Sequence, residues 1–127
     1  INFCEGSRFT PEKAAIAKSP YKNLLPPKAA SLGVAVSEIG SRIDYIFNNT
    51  FYYPQNQKKA FMDMMQGRIR DVYVNVEVRS ELTDFQGNYL ENKEFKHDFT
   101  MMLRDMWKHK DEIIENMKSD FEKKNIR

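Results

Sequence analysis

The sequence predicts an α/β domain: a partly parallel sheet with flanking helices, closed by a long C-terminal amphipathic helix. Three observations carry that prediction. RIDYIFNNTFYYP is aromatic and β-branched and stops at Pro54, which is a strand signal. IRDVYVNVEVRS alternates as a half-exposed strand does, with Val72, Val74, Val76 and Val78 on one face and Tyr73, Asn75, Glu77 and Arg79 on the other. Between them, NQKKAFMDMMQG sets Ala60, Phe61, Met64 and Met65 on one helical face and stops at Gly67. That stretch has the length of a helical crossover, so a parallel β-α-β unit is the expected connection.

The remaining elements follow in chain order. INFC reads as the end of a buried strand, with Cys4 packed inside it. Glu5-Gly6-Ser7-Arg8 then makes either a phosphate-binding corner or an ordinary charged turn. A loop containing Pro and Lys spans residues 9–26 and closes with LLPPK. Pro27 is placed to open a helix, and PKAASLGVAVSEIG stays apolar until Gly40 caps it. Ala29, Ala30, Gly33 and Ala35 are small enough to let that helix sit close to a sheet. Residues 80–92 hold turn signals around Gly87 and Asn88. From Lys93 onward, Phe95, Phe99, Met102, Met106, Ile113, Met117 and Phe121 mark one face of a long helix.

Composition bounds the class. The chain has 127 residues, 41% hydrophobic and 30% charged, which describes one small globular domain or a piece of a larger one and excludes a disordered chain. The longest uncharged run, Tyr45 to Gln57, has 13 residues, far short of a bilayer span. No signal peptide is visible. A single cysteine excludes an internal disulfide and fits a reducing compartment.

Charge is uneven along the chain. Residues 1–60 carry eight Lys/Arg against four Asp/Glu, and residues 61–127 carry twelve against fourteen. Arg8, Lys13, Lys18, Lys22 and Lys28 face only Glu12, a patch that suits an anionic small molecule, a membrane surface or nucleic acid, or is simply a solvated loop. The long helix balances eight bases with eight acids between Lys93 and Lys124, so packing against the sheet suits it better than lying on a membrane.

Phe3, Glu5, Gly6 and Arg8 match the Phe-Pro-Glu-Gly-Thr-Arg block of the glycerophospholipid acyltransferase family (PlsC-like, related to 1-acylglycerol-3-phosphate acyltransferase), with Cys4 and Ser7 at the departing positions. The chain resembles that family, and NNTFYYP is similar to its fourth block, ending at Pro54. The wording FCEGSRFT, LLPPKAA, NNTFYYP and FKHDF is most like a bacterial, YihG-like branch. The resemblance runs over nearly the whole chain, but its diagnostic residues are 3–8 and 48–54.

The resemblance implies the C-terminal part of an acyltransferase domain, 1–79 a substrate-binding portion and 80–127 a turn and helix. It implies transfer of an acyl group from a thioester donor, acyl-CoA or acyl carrier protein, to a lysophospholipid such as 1-acylglycerol 3-phosphate. No further cofactor or metal is implied, and the setting would be the cytoplasmic face of the inner membrane. Glu5, Gly6, Ser7 and Arg8 would bind the substrate phosphate, with Pro54 near the substrate. The chemistry fits those types: a guanidinium grips a phosphate by two parallel charged hydrogen bonds, and glycine permits backbone approach. Glu5 would bind substrate hydroxyls or orient Arg8.

One departure matters. The family's general base is the histidine of His-x-x-x-x-Asp, yet Met102 stands five residues after His97 and Ile114 five after His109. In the family that dyad precedes the Glu-Gly-Thr-Arg block, so the chain is expected to start at the strand delivering the corner and to be inactive alone.

Other candidates have plainer explanations. His97 and His109 read as solvated helix residues. Asn48-Asn49-Thr50 fits a glycosylation acceptor, a poor reading for a strand in a reducing compartment. No Cys/His metal spacing, Walker loop or Gly-x-Ser-x-Gly elbow is present. Tyr52, Tyr53 and Tyr73 have the ring faces on which nucleobases stack, but aromatics on strands pack, and no nucleic-acid partner is expected. The alternative to the enzyme is a non-catalytic module that binds anionic ligands or a protein partner.

Overall fold

The computed structural model describes residues 1–6, 9–54 and 60–125. Helix α1 (Pro11–Ile16) opens the chain's regular structure, followed by α2 (Ala29–Ile39), strand β1 (Ile46–Tyr52), α3 (Ala60–Met65), β2 (Tyr73–Arg79) and α4 (Lys93–Asn125). Single 3₁₀ turns stand at Gly40–Arg42 and Thr83–Phe85. The sequence signal for α1 lies in the residues read as loop. Thr10 Oγ1 accepts from the Lys13 N–H at 3.1 Å and Pro11 occupies the first helical turn.

The sheet corrects the expected fold class. β1 and β2 pair antiparallel, from Ile46 opposite Arg79 to Tyr52 opposite Tyr73, and the described residues contain no parallel pair. The connection, residues 53–72, is long enough for either return. What its described residues lack is a crossover helix of strand length, since the six residues of α3 rise about 9 Å against about 23 Å for the seven-residue strand. An antiparallel return needs no such crossover.

INFC is also not a strand. Residues 1–3 pair with nothing in a ladder, Cys4 begins a turn, and Ile1 and Phe3 are exposed while Cys4 is buried. The small residues of α2 serve a neighbour other than the sheet. A β-carbon on Gly33 would stand 2.4 Å from the Tyr89 ring, and one on Gly40 would stand 2.8 Å from Phe85 O. Helix α2 therefore packs on α4 and the 83–85 turn.

The core lies between helices. Phe85, Phe99 and Leu103 are its most buried side chains, joined by Cys4, Val36, Leu82, Tyr89 and Trp107. Phe99 meets Phe85 and Tyr89 edge-on at 5.9 and 6.1 Å and stacks on Phe95 at 5.7 Å. Emptying such a site costs about 3–5 kcal/mol. On α4 the buried positions Phe99, Leu103, Trp107 and Ile114 form one stripe.

The alternation of β2 holds, with an unexpected orientation. Val74, Val76 and Val78 face solvent, as do Phe47 and Phe51 across from them, while the polar side turns to α4. Polar partners on the helix explain it. His109 Nε2 meets Glu77 Oε1 at 2.9 Å, Lys110 bonds Asn48, and Tyr73 packs edge-on against Phe121 at 6.3 Å. The 21–25 loop is fastened to the same helix: Asp111 accepts from the N–H groups of Lys22 and Asn23 at 3.0 and 2.8 Å, and Lys118 donates to Asn23. Among the described residues no helix is long and apolar enough to cross a membrane.

Candidate functional site

Cys4, Glu5 and Gly6 form a turn that rests on the middle of α4. The Gly6 N–H donates to Phe3 O at 3.0 Å, and Gly6 takes a φ of +70°. A side chain in that left-handed conformation costs roughly 1–2 kcal/mol, so the turn favours glycine. Cys4 O accepts from the Lys28 N–H at 2.6 Å, tying the turn to the entry of α2. A β-carbon on Gly6 would stand 3.4 Å from Lys28 Nζ, an ordinary contact. The backbone angle, not crowding, selects glycine here.

Glu5 is directed onto α4, where its Oε1 accepts from Trp107 Nε1 at 2.9 Å. Burial raises its pKa; the Trp107 hydrogen bond, a backbone bond at Leu25 and the Lys110 charge pull it back. Lys110 Nζ lies 4.6 Å from the centre of the Trp107 ring and donates to Asn48 Oδ1 at 3.1 Å and Asn49 O at 2.9 Å. Burial lowers the pKa of Lys110, with Glu5 the leading charge that opposes it. The Cys4 thiol is pushed up by burial, and Lys110 opposes that shift. Each shift favours the neutral form, as expected of ionisable groups withdrawn from water.

The structure thus places Glu5 and Gly6 beside Lys28, Trp107 and Lys110. Ser7 and Arg8 lie outside the described residues. Pro54 stands two residues beyond the end of β1, whereas β1 reaches the corner's partners through Asn48 and Asn49, about 16 Å of strand away. The structure does not join Pro54 to the Glu5 corner through any of these contacts. His97 is exposed on α4, and His109 is spent on Glu77. Among the described residues no group of three or more His, Cys, Asp or Glu is arranged to hold a metal ion.

Trp107 and Lys110 are the partners that sequence reasoning missed. Their only signal was the chain's single tryptophan standing three residues before a lysine on the apolar side of a helix. Two clefts lie along different faces of α4. One, of about 840 Å³ beside β2, is lined by carboxylates including Glu77, Asp98 and Asp105 together with Met102 and Met106. The other lies on the α1–α2 side and is basic.

Compared with known proteins, the chain matches no protein-family model, no curated protein and no solved structure.

Proposed function

We propose that the chain is the acceptor-binding part of a glycerophospholipid acyltransferase, with Glu5-Gly6-Ser7-Arg8 as the corner that takes the phosphate of a lysophospholipid. The observation that carries the reading is Gly6, whose φ of +70° sits in a tight turn with Lys28 Nζ beside it. A turn that requires glycine and holds a cation at its side suits a phosphate better than an arbitrary sequence of the same charge. Because Glu5 is bonded to Trp107, its role in this reading is to fix the corner in place. Hydroxyl binding by Glu5 is the less economical assignment. The acyl donor would be acyl-CoA or acyl carrier protein, and the setting the cytoplasmic face of the membrane.

These 127 residues contain no His-x-x-x-x-Asp, so the reading gives this chain acceptor binding and not the proton transfer. Mixed with acyl-CoA and lysophosphatidic acid it releases no thiol above background. Binding of lysophosphatidic acid falls by about 1–3 kcal/mol in Arg8→Lys, which keeps the charge and loses the two-pronged contact. Unchanged binding in that variant removes the reading.

The antiparallel sheet favours a second reading, the non-catalytic module for anionic ligands, since the α/β architecture that accompanies the enzyme is not the one observed. That module binds the same phosphates with no companion activity. Acyl transfer by a longer chain carrying both the dyad and this corner decides for the enzyme.

A further inference from the structure

We propose that the cleft between the α1–α2 connection and α4 is a binding site for phosphate groups, of the phosphomonoester or pyrophosphate class. The cleft is an open one of about 800 Å³, a volume within the range of small-molecule sites. Four cations line it, drawn from separate stretches: Lys18 just past α1, Lys28 at the entry of α2, and Lys96 and Arg104 on α4. The last two are eight residues apart, about 12 Å along the helix, and so stand on one face. No carboxylate lines the cleft, and among the described residues none of the four forms an ion pair. Four like charges around one concavity repel one another, and a polyanion is the partner that relieves them.

The remaining polar groups sharpen the assignment. The Thr100 hydroxyl donates to Lys96 O and the Tyr21 hydroxyl to Arg104 O, at 2.7 and 3.1 Å, so neither needs a ligand. The cations remain as the available donors. Helix α2 begins at Ala29 with no side-chain cap and no acid in its first turn, and Ala29 and Ala30 lie at the wall of the cleft. Uncapped N–H groups at the positive end of a helix reinforce the preference for an anion. Lys96 Nζ also sits 5.5 Å from the centre of the Tyr89 ring, which holds the ammonium in place while leaving its protons for a ligand.

This inference does not rest on the acyltransferase reading: Lys28 stands beside both sites, but Lys18, Lys96 and Arg104 belong to the cleft alone. The test is calorimetric titration of inorganic pyrophosphate into the 127-residue chain at low salt, with circular dichroism to verify folding. Saturable binding at one site is expected, weakened about tenfold by Lys96→Ala and by Arg104→Ala. Both side chains belong to exposed residues, and the milder Lys96→Gln and Arg104→Gln serve if an alanine variant unfolds. Lys108→Ala removes the same charge from an exposed position of α4 outside the cleft and leaves binding unchanged.

Absence of saturation overturns the proposal, as does an equal loss in Lys108→Ala, which would reduce the effect to net charge. Loss in Arg8→Lys with none in Lys96→Ala or Arg104→Ala would move the anion to the corner and overturn it too. Vesicles identify the source of the phosphate. Cosedimentation with phosphatidic acid but not phosphatidylcholine, abolished by the cleft variants, assigns a lipid headgroup. Binding of pyrophosphate without such cosedimentation assigns a soluble ligand.

Discussion

Trp107 Nε1 donates to Glu5 Oε1 at 2.9 Å across 102 positions of chain, and the bond fastens the N-terminal turn to the middle of α4. Trp107→Phe keeps an aromatic ring in the core and removes the donor. Glu5 is then left half-buried with one hydrogen bond fewer, a loss of about 1–3 kcal/mol. Urea unfolding of the variant measures it. A midpoint equal to that of the parent would show the bond to be without weight.

The same carboxyl gives stability a pH dependence. Its folded pKa lies above the ordinary 4.5, so the unfolded chain gives up this proton first. Below 4.5 both states hold it and the contribution is complete. As pH rises from 4.5 through the folded value, stability falls, because the folded state keeps a proton the unfolded state has lost. Lys110 acts in the other direction at alkaline pH: its folded pKa lies below 10.5, so stability rises as pH climbs from that folded value to 10.5. Glu5→Gln is expected to remove the acid-side decline. Denaturation midpoints across the acid range, parent against variant, check the sign.

Gly6→Ala tests the corner without touching its charges. The φ of +70° makes the methyl group cost roughly 1–2 kcal/mol, although the space around it is ordinary. Gly87→Ala is a useful contrast, because its β-carbon would meet the Phe95 ring at 2.4 Å and the cost there is steric. Thermal melts of the two variants should both fall, with pyrophosphate binding at the basic cleft retained wherever the chain is folded.

Phe99→Asp places a charge at a position 1% exposed and ringed by Phe85, Tyr89 and Phe95. A loss of several kcal/mol is expected, enough to unfold a domain of this size. Val76→Thr changes a side chain 53% exposed on the outer side of the sheet and stays within about 0.5 kcal/mol. A variant at Phe99 that melts with the parent would mean that α4 is not the wall of the core.

The long helix and both strands were legible because their periods, 3.6 and 2, survive in the sequence over enough residues to be read. Strand direction was not, since Val72 to Arg79 alternates identically in parallel and antiparallel pairs and the connection decides. Nor did the alternation tell which side is covered. Hydrophobicity pointed to the valines, but Lys110, His109 and Phe121 on α4 claim Asn48, Glu77 and Tyr73. At the corner, glycine announced its own turn, while the Glu5–Trp107 bond joins residues too distant for any local pattern. The basic stretch around Lys18 and Lys28 was visible as charge; that Lys96 and Arg104 complete it depends on folding.

Helix α4 works as an index rod. Reading along it, Lys96 and Arg104 meet the α1–α2 cleft, Trp107 the first turn, Lys110 strand β1, Asp111 the 21–25 loop and Phe121 strand β2. The notches are held by several stretches of chain, and their azimuths are set by about 100° of turn for each residue between them. Deleting one residue between Leu103 and Trp107 therefore rotates every later notch away from its mate at once. Residues added to the 80–92 connection leave that phase unchanged but displace Leu82, Phe85 and Tyr89, which pack on the same helix. Tolerance to deletion within α4 is accordingly set by phase along that helix.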